Sequence, residues 1–312
     1  MKRGNNERNQ LQRKLRWILC LSTFLFAGTF LNAQVPGDTL STMEVTADNS
    51  KKLVKKTFES AWLMNSHTVM VPFENTFQMD FQHRFGTWED GYEHFYGVFN
   101  PSNIRIGFDY VPVKNLMVGF GFTNQNNLWD FYGKYALLRQ KTNGGTPVSL
   151  TYYVNAAVDT RKEENTDFLE SSDRWSFFHQ LMVARKFSEA LSVQVSGNLS
   201  WFNYHPVYDA EGVYLGRNQN ATFSISGLAR YKVSKVMSLI VEYDQPLTDQ
   251  EFFDPEPNLS FGFEVVTSAH AFQVFVGNYQ SLVPQYNHAL NTNSFGDNEI
   301  LIGFNLTRLW SF

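Results

Sequence analysis

The chain has 312 residues, of which 43% are hydrophobic, 16% aromatic and only 18% charged, with a net charge of −4. That balance excludes a nucleic-acid groove, which needs a basic face, and its average polarity excludes a bundle of membrane-spanning helices. Scarce charge and abundant aromatic surface instead suit strands in which apolar and polar residues alternate.

The first predicted element is a signal peptide over residues 1–33. Lys2, Arg3, Arg8, Arg13, Lys14 and Arg16 form a basic stretch, "WILCLSTFLFAGTFL" (Trp17 to Leu31) is the apolar run, and Ala33 before Gln34 offers a cleavage point. An uncleaved anchor is the competing reading, but the run is shorter than the ~20 residues of a spanning helix. Cys20 is the single cysteine and lies in this segment, without a small residue just before it as a lipid-anchored cysteine needs. The mature chain is then expected to lack thiols, and so disulfides and cysteine-bound zinc.

Residues 34–74 read as a periplasmic leader. Within it, Lys51 to Asn65 is either a linker or a short helix, because Val54, Phe58 and Trp62 recur at four-residue spacing. Such a segment either plugs a barrel or rests at its mouth.

From residue 75 to 312 the period is two. "TFQMDFQHRF" sets Phe77, Met79, Phe81 and Phe85 against Thr76, Gln78, Asp80, Gln82 and Arg84, and "LSVQVSGNLSWF" repeats the pattern with Leu191, Val193 and Val195 against Ser192, Gln194 and Ser196. Twelve segments follow this rule, near 75–86, 103–111, 114–123, 128–139, 147–157, 174–186, 190–203, 220–232, 236–245, 259–267, 270–279 and 299–312. Many match the ~10 residues of a tilted membrane strand. Trp175 to Phe187 and His270 to Tyr279 alternate less cleanly.

The connections alternate too. "VPVKN", "FSEA", "VSK" and "TSA" are tight, whereas "TWEDGYEHFYGVFNPS", "DTRKEENTDFLESSD", "YHPVYDAEGVYLGRNQ", "QPLTDQEFFDPEPN" and "QSLVPQYNHALNTNSFGD" are long; "NQNN" and "QKTNGGT" break the rhythm. Short turns on one side and long loops on the other point to an all-β fold: a closed antiparallel transmembrane β-barrel of about twelve strands. Closure removes edges that lipid cannot hydrogen-bond. A soluble periplasmic barrel or sandwich is the alternative. The predicted aromatic girdle is Trp129, Trp175, Trp201 and Tyr243 at the long-loop rim, with Tyr110, Tyr231, Trp310 and Phe312 at the turn rim.

Residues Phe58 to Val118 resemble an uncharacterised family of outer-membrane β-barrel proteins from the Bacteroidota. The resemblance is carried by "FESAWLMNSHTV" (Phe58 to Val69), "FQMDFQHRFG" (Phe77 to Gly86, with His83, Arg84, Phe85 and Gly86 its most recognisable piece) and "GFDYVPVKNLMVGFGF" (Gly107 to Phe122). It implies the barrel architecture and the outer-membrane address from about Phe58 to the end, and no activity.

Candidate chemistry is sparse. The seven histidines form no H-x-x-x-H or H-E-x-x-H pair, so no metal and no cofactor is expected. His83 and His94 could face each other near the first loop. His179 shares the lipid-facing parity with Phe177 and Leu181, which keeps an outer-membrane lipase-like hydrolase as an alternative, but no G-x-S-x-G is present and Ser149 and Ser192 face inward. The expected protein is not an enzyme. Asp80, Arg84, Arg105, Asp109, Lys134, Arg230, Glu242 and Glu264 are predicted to line the lumen, with Arg84–Asp109 and Arg105–Asp80 as ion pairs. Long-loop rings (Trp88, Tyr92, Phe95, Tyr96, Tyr208, Tyr214, Phe252, Phe253 and Tyr286) either bind partners or pack on one another. The reading is a small-solute channel or a surface binding or scaffold protein. Its expected partners are outer-membrane lipid, a small solute, and the barrel-assembly machinery through the C-terminal strand, which is expected to pair with Asn75 to Gly86.

Overall fold

The computed structural model describes residues 52–312, apart from 143 and 210, so the expected signal peptide and the leader up to residue 51 lie outside the described residues. Twelve antiparallel strands form one closed barrel. In chain order they are β1 (Thr76–Arg84), β2 (Asn103–Val113), β3 (Leu116–Thr123), β4 (Leu128–Leu138), β5 (Ser149–Asp159), β6 (Trp175–Lys186), β7 (Leu191–Phe202), β8 (Ala221–Lys232), β9 (Met237–Pro246), β10 (Asn258–Val266), β11 (His270–Gly277) and β12 (Leu301–Ser311). Each pairs with its neighbours in sequence, and β12 closes on β1 from Gly303↔Arg84 to Ser311↔Thr76.

The alternation that defines each strand also sorts its side chains. On β7, Ser192, Gln194, Ser196, Asn198 and Ser200 are buried in the barrel, while Val195 and Trp201 are exposed on its wall. Phe120, Phe131, Leu181, Val183, Phe223, Val241, Phe261, Phe263 and Val274 are likewise exposed, so the wall is an apolar band of the kind a bilayer covers. The inward apolar face of a two-sheet sandwich is not what this chain has.

The leader corrects one expectation. Residues 52–65 form no helix: Leu53 bridges Lys141, and Trp62–Leu63 pairs with Ser66–His67 as a small hairpin inside the barrel. The apolar residues spaced four apart diverge, with Phe58 and Trp62 fully buried and Val54 only partly so. A helix satisfies its own backbone. An extended hairpin instead offers its N–H and C=O groups sideways, where the inward polar side chains bond them. The irregular turn "QKTNGGT" also finds its use here, because Val54 donates to the Gln140 carbonyl and Thr142 to that of Lys52.

Two further elements belong to the long-loop end. Pro206–Tyr208 pairs with Tyr214–Arg217 as a second hairpin, and α1 (Pro284–Leu290) lies in the connection between β11 and β12. Five of the seven α1 residues are buried.

Candidate functional site: the filled lumen and its loop face

The barrel interior is built around the leader hairpin. Phe58, Trp62, Leu63 and Met64 are at most 1% exposed and pack in one cluster with inward residues of the wall, among them Met117, Tyr132, Tyr153, Phe178, Met182, Leu228, Ile240 and Phe275. Each such side chain contributes about 1.5–3 kcal/mol relative to exposure. The turn is tight: Met64 has φ of 52°, a left-handed conformation uncommon for a side chain of its size.

Polar wall residues take up the hairpin's backbone. Gln273 accepts from Met64 N and donates to the Trp62 carbonyl, both at 2.9 Å. Gln194 accepts from Val69 N at 2.9 Å and donates to the His67 carbonyl at 2.8 Å. In each case one carboxamide spans the carbonyl of residue i and the N–H of residue i+2, as a neighbouring β-strand does. Glu242 accepts from Asn65 N at 3.0 Å and Ser66 Oγ at 2.5 Å, and Lys134 Nζ donates to the carbonyls of Ala61 and Thr68 at 3.1 and 3.3 Å. Arg84 and Asn305 both donate to the Met64 carbonyl, at 3.2 and 2.7 Å.

Asp80, Arg84, Arg105, Asp109, Lys134, Arg230, Glu242 and Glu264 are all buried inside the barrel. Their pairing departs from the sequence expectation. Arg84 bonds Asn305 and lies over the Phe275 ring, not against Asp109, because the register sets Arg84 opposite Asn103 and Asp109 opposite Gln78, at the two ends of the β1–β2 pair. Arg105 does not meet Asp80. Its Nε and Nη2 donate to the two carboxylate oxygens of Asp130 at 2.9 and 2.7 Å, a two-pronged contact suited to a guanidinium. The reach is possible because Gly121 of β3 stands between them without a side chain: a Cβ there would lie 2.3 Å from Arg105 Nη2. Asp80 and Asp109 share the Gln78 amide, with Thr307 donating to Asp80 and the Tyr132 hydroxyl to Asp109. Arg230 pairs with Glu264 at 2.6 Å. Asp130 and Asp244 escaped the sequence reading, although Asp130 has the same parity as Lys134 and Asp244 the same as Glu242.

At the loop end, α1 packs against β6 to β9. Gln285 donates to Asn155 Oδ1 and Ser176 Oγ, His288 meets Ser224 Oγ at 2.9 Å with Asp244 at 3.9 Å, and the His288 ring stacks on Phe178. Burial pushes the His288 imidazole below its ordinary range, against the opposing pull of Asp244.

The rims carry rings. Trp129, at the loop end of β4, packs on Phe122; Trp175 stacks on Phe177; Trp201 donates to Asn203; and Tyr243 donates to Gln245. At the turn end Tyr110 donates to Asn75, Trp310 packs on Phe77, Tyr231 is half exposed, and Phe312 is 88% exposed. His83 stacks on Phe304 and His94 lies 4.0 Å from Asp90, so the facing histidine pair does not form. His179 points outward to the Tyr152 hydroxyl at 2.7 Å, and its partners on the flanking strands are Val154 and Leu199. Several loop rings pack together, as Trp88 with Tyr96, Tyr92 with Phe95, and Tyr208 with Tyr214.

Solved structures that align with the chain include two porins and an outer membrane channel. The NanC porin aligns at 8% identity over 76% of this chain and 99% of its own, with a TM-score of 0.47. The COG4313 outer membrane channel from Pseudomonas putida F1 aligns at 13% identity over 77% and 97%, with a TM-score of 0.47. The KdgM porin aligns at 10% identity over 75% and 99%, with a TM-score of 0.43. No curated protein matches the chain. The family model for the membrane bound beta barrel domain (DUF5777) matches residues 58–310, hairpin and barrel together, and the chain belongs to that family.

Proposed function

We propose that this chain is an outer-membrane barrel that keeps its lumen shut with its own leader and acts at the loop face, as a surface binding or scaffold protein and not as an open pore. One observation carries the reading. The hairpin is bonded to the wall from both of its strands, through the Trp62 and His67 carbonyls, and its turn is gripped by Glu242, Arg84 and Asn305. It is packed as a core is packed, not hung in a channel. The outer-membrane address is supported by the closed edge, the apolar wall and the aromatic rims. A non-enzymatic role is supported at the one outward histidine of interest: His179 has a tyrosine beside it, and valine and leucine on the strands to either side.

Planar-bilayer recording on the purified full-length protein tests the proposal. A silent membrane is expected. A steady ohmic current through the full-length barrel would refute it and restore the small-solute channel.

A further inference from the structure

A cleft of about 240 Å³ opens at the loop end. Four segments build it: Asn126 from the β3–β4 turn, Asp159 to Phe168 from the end of β5 and the loop after it, Phe202 to Tyr208 from the end of β7 and the loop after it, and Tyr286 from α1. Its size is below the ~300 Å³ at which pockets for drug-sized ligands begin, so it suits a small ring. Its aromatic walls meet edge to face. Phe168 and Tyr204 lie 6.3 Å apart at 70°, and Phe202 and Tyr286 lie 5.1 Å apart at 84°. Tyr208 remains 38% exposed and Tyr204 partly exposed, which leaves apolar ring surface that C–H groups can cover.

The polar lining offers hydrogen-bonding groups and one carboxylate beyond the paired charges, with no unpaired cation. Arg161 is neutralised by Asp159, with Nε and Nη2 donating at 3.0 and 2.7 Å, so the guanidinium is oriented but carries no unbalanced charge. The Asp167 carboxylate is exposed at the cleft and accepts a hydrogen bond from the Tyr208 hydroxyl, the Tyr204 hydroxyl bonds Tyr214, and Asn126 adds an amide. The β5–β6 loop is held in place, since Arg174 donates to the carbonyls of Asp159 and Arg161 and lies over the Phe168 ring at 5.3 Å. An anion would find no unpaired cation in this lining, and a purely apolar ligand would bury the carboxylate of Asp167.

We infer that this cleft binds one ring of a neutral saccharide, with its C–H face on Tyr204 or Tyr208 and its hydroxyls on Asp167, Arg161 and Asn126. The inference deepens the loop-face reading and is tested apart from it. Current through the full-length barrel would overturn that reading and leave saccharide binding untouched.

The experiment is titration calorimetry of the full-length protein in detergent with maltohexaose, cellohexaose, mannohexaose and xylohexaose, and with an alginate hexamer as the acidic comparison. Saturable binding of at least one neutral hexamer is expected, weakened about tenfold by Tyr208→Ala or Tyr204→Ala and abolished in the double variant. Tyr92→Ala, an exposed ring on the β1–β2 loop, is expected to bind as wild type. Heat-modifiable gel migration reports that each variant is folded. No binding of any neutral hexamer, binding unchanged in the folded Tyr204/Tyr208 variants, or preference for the alginate hexamer would each overturn the inference.

Discussion

Removing the two glutamines that act as surrogate strand neighbours should free the hairpin while leaving the wall intact. Gln194→Ala strands the Val69 N–H and the His67 carbonyl, and Gln273→Ala strands the Met64 N–H and the Trp62 carbonyl and also removes bonds to Asn305 and Glu264. An unsatisfied buried group costs about 1–3 kcal/mol, so the two hairpin groups alone place the loss per glutamine at about 2–6 kcal/mol. Even the lower bound corresponds to about thirtyfold in an opening equilibrium. Hydrogen exchange of the segment 57–71 in the full-length protein reads that opening directly. We expect at least thirtyfold faster exchange there in either variant, with the barrel strands unchanged. Gln82→Ala is the matched control, because Gln82 is equally buried and inward yet neither of its amide atoms has a protein partner. Unaltered exchange in Gln194→Ala and Gln273→Ala, or the same acceleration in Gln82→Ala, would refute the surrogate-strand argument.

Gly121→Ala should destabilise the barrel by about 1–3 kcal/mol, because the new methyl would press on a guanidinium that Asp130 holds fast; equilibrium urea unfolding in lipid vesicles measures it. Docking of α1 should weaken on acidification. The His288 imidazole titrates below its ordinary value near 6.5 when buried, so the unfolded loop binds the extra proton first; protection of residues 284–290 should be full above about pH 6.5 and fall as pH drops below it, as exchange at pH 8 and pH 5 will show. Deleting Phe312, whose N–H donates to the Asn75 carbonyl, should lower the yield of heat-modifiable barrel in the membrane fraction; wild-type yield would exclude a role for this residue in assembly.

The barrel was legible because a half-wet strand writes its period into every other residue. Closure followed from the rhythm of turns and loops, and β12 meets Asn75 to Gly86 through residues 76–84 as expected. The ion pairs were not legible, since they depend on which intervening position lacks a side chain; Gly121 sends Arg105 to β4, beyond its neighbouring strand. The hairpin left a weaker trace. Its four paired residues are too few to show a period. Its counterpart was present on the wall: Phe178, Met182 and Phe275 are apolar at inward positions, and they are what blurs the alternation of β6 and β11. An inward face that turns greasy partway along a strand marks where something sits inside.

The carbonyl of Met64 touches both strands of the closing seam, Arg84 on β1 and Asn305 on β12. The second of these contacts joins residues 241 positions apart, and Gln273 reaches the same turn across 209. The interior therefore cannot be completed before the last strand arrives, because its most distant partners are carried by β11 and β12. Joining the wall and setting the centre become one late event in folding, as when a cooper drives the final stave of a cask already built around its bung.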